Sequence, residues 1–426
     1  MTMGWAAAGA SAVLIGLLTG THGAPPLPQT DHSRPSVAAD SATAKRVEIG
    51  FAIGPLRRAT AYRAALERVA ADGFRVIRGY EPFRPGDGPG FAHVIESLRY
   101  LDSLGFTPYF DISDYPFELA PSAAERASGP WPFTPEKRAS VFAYNNIYPP
   151  SPERYDSVLT VLLSSLESTF GREKLRRWWF EIGNEPDAKS FFWGSAEQFD
   201  TLMAVAIRRF HGFDPQLRVG GGAFSTVTDT ANKAGFMRLA RQLSTSSDQF
   251  TFVSVHIYAQ SFHDGTEIGP DIRAVLGPAR AAQRVISEWN ADSRKTARLQ
   301  AILGSDEIVP YLIDVLAASY DTDVHLVLAF KLMDDPGAPQ LGFFDSQGHP
   351  KSAYTSLLLL SRFAGAGFSA DTRNGDIVLR GDSLVLVHAV RQPVPIDRRT
   401  FEVVMASVPS SSPQVPAGGW AVLRRR

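Results

Sequence analysis

From residue 47 onward the chain alternates between short, unbroken apolar runs and longer stretches whose apolar residues recur every three or four positions. The short runs are Val47 to Ile53, Phe74 to Arg78, Thr107 to Ile112, Trp178 to Ile182, Leu217 to Gly220, Phe252 to His256, Arg284 to Ser287 and His325 to Phe330. They have strand length and no polar face, the pattern of a parallel sheet covered on both sides. The longer stretches predict helices over Thr60 to Ala71, Phe91 to Leu104, Ser151 to Phe170, Ser195 to Phe210, Ala231 to Gln242, Pro270 to Leu276 and Glu307 to Tyr320. Local punctuation agrees: Gly105 suits a left-handed helix end, Ser151-Pro152 an N-cap with Pro in the first turn, and Ser195 with Gln198 a capping box. Eight such units predict a TIM (β/α)8 barrel over residues 46–362. A doubly wound sheet ranks below it, because no Gly-rich phosphate turn follows the first strand.

After Phe363 the helical period stops. Asp376 to Leu379, Ser383 to Val390 and Phe401 to Met405 read as strands, with turns at Asn374-Gly375 and Gly381-Asp382. Residues 363–426 are therefore expected to form a small C-terminal β-sandwich-like domain, ending in a solvated Arg424-Arg425-Arg426 tail. At the other end, the apolar run Trp5 to Leu18 resembles the core of an export signal over residues 1–24, although no Lys or Arg precedes it. Residues 25–45, rich in Pro, Ser, Ala, Thr and Asp, read as a disordered linker. An exported protein, periplasmic or secreted, without a stable membrane span is the expectation.

Charge and composition mainly exclude. The 426 residues carry 43 Lys and Arg against 44 Asp and Glu, which gives no support for nucleic-acid binding. No cysteine is present, so thiolate nucleophiles, disulfides and Cys-based metal sites are ruled out. No Asp spacing supports a metal loop, and no metal or organic cofactor is expected. The long Pro- and aromatic-rich stretch from Asp114 to Pro150 is too long for a plain connection. Its Trp131, Phe133, Tyr144 and Tyr148 read either as sugar-stacking walls or as anchors of the loop.

The chemistry lies in two glutamates. Glu185 follows the fourth strand in Glu181-Ile182-Gly183-Asn184-Glu185-Pro186, and Glu288 ends the seventh in Ser287-Glu288-Trp289-Asn290. In a barrel both project into the mouth at the strand C-termini. Two carboxyl groups there are what glycoside hydrolysis needs, one to protonate the leaving oxygen and one to attack the sugar. Asn184 is placed to bond a sugar hydroxyl. Tyr258, His256 and Arg78, at the ends of the sixth and second strands, are placed to orient Glu288. Trp289 and Lys331 complete the candidate substrate-facing set.

Each has a plainer reading. Arg78 can be a barrel salt-bridge residue, His256 a satisfied core histidine and Tyr258 a core aromatic. Lys331, near Asp334-Asp335, is either a partner for a charged sugar or a solvated loop charge, and Glu181 reads as a buried, paired strand residue.

The ordered motifs Phe170 to Asp187, Arg218-Val219-Gly220-Gly221, Val255-His256-Ile257-Tyr258, Ser287-Glu288-Trp289-Asn290, Gly342-Phe343-Phe344-Asp345 and Lys351-Ser352-Ala353-Tyr354 resemble glycoside hydrolase clan A, and within it family thirty-nine. The resemblance runs from about Val47 to Leu360. It implies a retaining double displacement with Glu185 as acid/base and Glu288 as nucleophile, acting on an oligo- or polysaccharide. A transglycosylase would use the same pair, and a catalytically silent carbohydrate-binding barrel is the other class of reading. Three positions depart from the family pattern and are expected to alter the substrate-facing surface. Gly183 stands where an aromatic is usual, the run after Arg78 lacks a His, and no strand-eight Trp is evident in Ala329-Phe330-Lys331-Leu332.

Overall fold

A computed structural model describes residues 44–56, 59–80, 91–113, 149–188, 191–192, 194–225, 238–239, 251–258, 283–292, 296–335, 341–372 and 376–426. The export segment, most of the linker, the 114–148 stretch with Trp131, Phe133, Tyr144 and Tyr148, the helices expected at 270–276 and over most of 231–242, and the 374–375 turn lie outside these residues. Among the described residues no helix is long and apolar enough to cross a membrane.

Eight parallel strands close into a barrel in sequence order. They are β1 (Glu48–Pro55), β2 (Val76–Tyr80), β3 (Thr107–Ile112), β4 (Trp179–Ile182), β5 (Arg218–Ser225), β6 (Phe252–Tyr258), β7 (Gln283–Asn290) and β8 (Val324–Phe330). The described helices around them are α1 (Arg63–Ala71), α2 (Ala92–Ser103), α3 (Pro152–Phe170), the short α4 (Arg172–Leu175), α5 (Ala196–Phe213), α6 (Ala297–Leu303), α7 (Ile308–Thr322) and α8 (Ser352–Ala366). The capping signals act as expected. Ser151 Oγ accepts from the Arg154 amide, and Ser195 and Gln198 form both halves of a capping box. Gly105 takes φ +79° after α2.

Outside their bulges the strands alternate between two environments. On β4, Phe180 and Ile182 face the helices, and Phe180 packs on Phe210 of α5. Trp179 points into the barrel with Val76, Tyr109, Phe252, Val285, Leu326 and Leu328. Tyr109, Trp179 and Phe252 pack ring against ring at 5.1–5.9 Å. Each such buried side chain stabilises the fold by about 1.5–3 kcal/mol. A Cβ on Gly220 would lie 2.0 Å from the Phe252 carbonyl oxygen, so the absence of a side chain there lets β5 and β6 approach. The barrel floor is thus sealed with aromatic rings, and polar groups occupy the layer above it.

The C-terminal region is a five-stranded antiparallel sheet ordered β13-β15-β11-β10-β9, beside a two-stranded sheet of β12 and β14. These strands are β9 (Ser369–Asp371), β10 (Ile377–Arg380), β11 (Leu384–Ala389), β12 (Val394–Pro395), β13 (Phe401–Ala406), β14 (Gln414–Val415) and β15 (Gly419–Arg425). Val378, Val385, Val387, Val394, Phe401 and Val415 form a small core between the two sheets. The other face contributes Leu379, Leu386 and Val422 to the main core. Helix α7 lies between barrel and sheet, and is accordingly buried on nearly every side. Its one buried acid, Asp314, pairs with His388 of β11 at 2.7 Å.

One expectation is extended here. The Arg tail does expose its side chains, but Arg424 and Arg425 end a strand that lies inside the sheet, with Trp420 to Leu423 buried between β11 and β13. The run Trp-Ala-Val-Leu was too short beside three charges to be read as a strand.

Candidate active site

At the top of the barrel, Arg78 of β2 is 1 % exposed and donates hydrogen bonds in several directions. Its Nε donates to Glu181 Oε2 at 2.6 Å, Nη1 to Glu288 Oε1 at 2.6 Å, and Nη2 to Asp111 Oδ2 at 2.8 Å and Asn184 Oδ1 at 2.9 Å. Tyr109 donates to the other oxygen of Glu181 at 2.9 Å. Burial pulls the guanidinium down, but the charges of Glu181, Asp111 and Glu288 more than reverse this and hold it well above its ordinary value. The planar fork of an arginine offers five N–H donors in fixed directions, enough for three carboxylates and the Asn184 oxygen.

Glu288 reaches this layer because β7 carries a bulge. In register with β6, Val255 opposes Ile286 but His256 opposes Glu288, so Ser287 is the extra residue. Val285 faces the barrel interior. Strict alternation from there would turn Glu288 outward, and the added residue turns it back in. The Tyr258 hydroxyl donates to Glu288 Oε2 at 2.5 Å, so both carboxylate oxygens accept from donors, the arrangement of an anion. Burial and the Glu288 charge hold the Tyr258 phenol well above its ordinary value, so it stays a donor.

Glu185 is seated differently. It stands at φ +45°, in the left-handed region that costs a residue with a side chain about 1 kcal/mol or more. Its amide donates to the Ala223 carbonyl at 3.0 Å, and its carbonyl accepts from the Ala188 amide at 2.8 Å. The carboxyl group meets His256 Nδ1 at 2.9 Å. Burial raises it to about 7, against the lowering charge of Arg78. His256 is itself pushed down by burial, with Glu288 opposing, and is neutral at neutral pH.

One oxygen each of Glu185 and Glu288 and one ring nitrogen of His256 lie within 4.8 Å of one another. Three such atoms could also converge on a metal ion. Arg78 and Tyr258 already take both Glu288 oxygens, however, and a guanidinium 2.6 Å from the carboxylate repels a second cation. The arrangement is instead a close pair of carboxyl groups, Glu288 buried with a donor on each oxygen and Glu185 half-buried and raised to about 7.

The profile of glycosyl hydrolases family 39 matches residues 91–287. A β-xylosidase of Caldicellulosiruptor saccharolyticus is 25 % identical over 360 residues, covering 76 % of this chain and 70 % of that protein. The chain is a glycoside hydrolase that resembles family 39. A second β-xylosidase, from Geobacillus stearothermophilus, is 31 % identical over 171 residues, 37 % of this chain and 32 % of that one. The fold is shared with a family 39 β-xylosidase from Caulobacter crescentus, with TM-score 0.63, 16 % identity, and coverage of 91 % of this chain and 98 % of the other.

Within this hydrolase, Glu185, Glu288, Asn184, His256, Tyr258 and Arg78 come together as one constellation. Asn184 turns its carbonyl oxygen to Arg78, which leaves its amide N–H groups as donors for a substrate. Two expected members are seated differently from the rest. Trp289 is fully buried in the sheet–helix core, in register with the core residue Ile257, because the bulge that turns Glu288 inward turns its neighbour outward. Lys331 is neither a solvated charge nor an open cation. It is 4 % exposed and paired with Asp335 at 2.8 Å, and Asp335 also accepts from Tyr62.

Gly183 also revises an expectation. It takes φ +89°, and a Cβ there would lie 2.5 Å from the Phe199 ring of α5. The missing side chain faces the helix layer, so this departure accommodates packing and does not reshape the substrate surface. Phe330, at the end of β8, is half-buried with its ring edge-on to Tyr258 at 6.4 Å, which puts an aromatic at the strand-eight position after all. Sequence reasoning missed Asp111 as a partner of Arg78 and Tyr109 as a partner of Glu181. Their period-two alternation on β3, both facing inward, was the available signal.

Proposed function

We propose that this chain is a retaining glycosidase working by double displacement. The observation that carries the proposal is that Glu185 and Glu288 each bring an oxygen to the same His256 nitrogen, at 2.9 and 3.6 Å, so the two carboxyl groups are close neighbours. Retaining enzymes hold their two carboxyl groups about 5–5.5 Å apart, whereas inverting ones need room for a water between them. Glu288, as carboxylate, attacks the anomeric carbon while Glu185 passes its proton to the departing glycosidic oxygen. A glycosyl ester on Glu288 results. Glu185, now an anion, takes a proton from water, the water oxygen attacks the anomeric carbon, and the ester bond breaks. Asn184 offers a donor to a sugar hydroxyl beside the attacked carbon. Tyr258 and Arg78 hold the attacking carboxylate in place.

β-Xylosides are the first substrate class to test, since the curated relatives are β-xylosidases. Release of the aryl group from aryl β-xylosides, and of xylose from xylo-oligosaccharides, is followed alongside Glu288→Gln, with the first product's anomer read by NMR. Retention of configuration in the wild type and silence in the variant support the reading. Binding without turnover on a broad glycan panel would sink it and favour a silent carbohydrate-binding barrel. Export, proposed from the Trp5 to Leu18 run, is tested by sequencing the N-terminus of protein recovered outside the cytoplasm.

A further inference from the structure

Strand β5 does not run straight past Glu185. Between Gly221 and Phe224 it carries one extra residue against β6, and Gly221, Gly222 and Ala223 all take positive φ, at 130°, 97° and 41°. The glycines permit the bulge at close quarters. A Cβ on Gly221 would lie 2.6 Å from the Ile182 amide nitrogen of β4. Ala223 has no such freedom, and two hydrogen bonds hold its left-handed backbone. Its carbonyl accepts from the Glu185 amide at 3.0 Å, and its own amide donates to Ser254 Oγ at 3.0 Å. Ser254, on β6, is fully buried under the bulge.

We propose that Ser254 is a positioning residue for the acid/base Glu185, acting through the Ala223 peptide. The Glu185 carboxyl group must lie beside a glycosidic oxygen, and its own backbone is strained. The Ser254–Ala223–Glu185 chain fixes where that backbone sits. A misplacement of the acid should matter in proportion to how much the leaving group needs its proton.

The inference rests on the glycosidase reading, and the experiment separates the two. Wild type and Ser254→Ala are assayed on 2,4-dinitrophenyl and phenyl β-xylosides, or on the same pair of aryl glycosides of whichever sugar the wild type accepts. Dinitrophenolate leaves without help and phenolate does not. The variant should lose at least tenfold more kcat/KM on the phenyl substrate than on the dinitrophenyl one, and the alkaline limb of its pH profile should move below that of the wild type. Equal losses on both substrates, or none on either, would overturn the positioning role and leave the glycosidase reading standing. A wild type inert on every pair would remove both. Should Ser254→Ala fail to fold, Ser254→Cys keeps the volume with a far weaker acceptor and goes through the same comparison, while Ser254→Thr, which keeps the hydroxyl, should restore the phenyl activity.

Discussion

Glu288 and Glu185 stand at the mouth of one barrel, yet the first is held by side chains and the second by backbone. Around Glu288 the protein supplies donors, Arg78 to one oxygen and Tyr258 to the other. Around Glu185 it supplies a left-handed backbone anchored to Ala223, a neutral imidazole, and burial that lifts the carboxyl group to about 7. Two copies of one side chain thus receive opposite tasks from their surroundings. Donors favour the anion, and burial with few donors favours the acid.

The largest effect that would test this contrast is Glu288→Gln. Removing the attacking oxygen should cost on the order of 10⁴-fold or more in kcat on any leaving group. Glu185→Gln should be selective instead. A loss of about 10²–10⁴ is expected on alkyl glycosides, with a much smaller loss on the first turnover of dinitrophenyl glycosides. Similar losses for both variants on both substrates would mean that the two seats do not divide the work.

Acidity offers the next test. If Glu185 must carry a proton, kcat/KM falls as pH rises through about 7. The same shift is a stability statement. A carboxyl group raised in the folded state contributes stability that is full below its ordinary value and lost as pH climbs through about 7. The wild type should therefore lose up to about 3 kcal/mol between pH 5 and pH 8 that Glu185→Gln does not lose. Parallel urea-stability curves for the two proteins would contradict the buried-acid assignment. The smallest effect belongs to Gly183→Ala, expected to destabilise by roughly 1–3 kcal/mol through the Phe199 contact and the positive φ. An unchanged urea midpoint would return Gly183 to the substrate surface.

The barrel was legible because its strands are buried on both faces, so each appears as an unbroken apolar run, and because Glu185 and Glu288 each follow such a run. Glu181 was legible as a buried, paired residue for the same reason. Trp289 was misplaced because a two-residue period cannot reveal the extra residue at Ser287. Phase, not composition, decides which neighbour of Glu288 meets the cleft. Ser254 was invisible as a partner because it contacts Ala223 through a strand pairing that no local pattern encodes, whereas the inward phase of β3 was a signal for Asp111. Lys331 was misread because its nearness to Asp335 is a matter of loop geometry, and a loop charge without context reads as solvated.

The sealed position of Arg78 also bears on how the protein meets its medium. Small ions screen charges by crowding round them, and the Arg78 side chain is 1 % exposed while that of Glu288 is 10 % exposed. At 1 M salt, where screening acts within about 3 Å, rim pairs such as Arg172–Glu167, with side chains 43 % and 37 % exposed, should weaken. The attraction that steadies Glu288 should hardly change. Catalysis by this barrel should therefore tolerate brine far better than its surface ion pairs do.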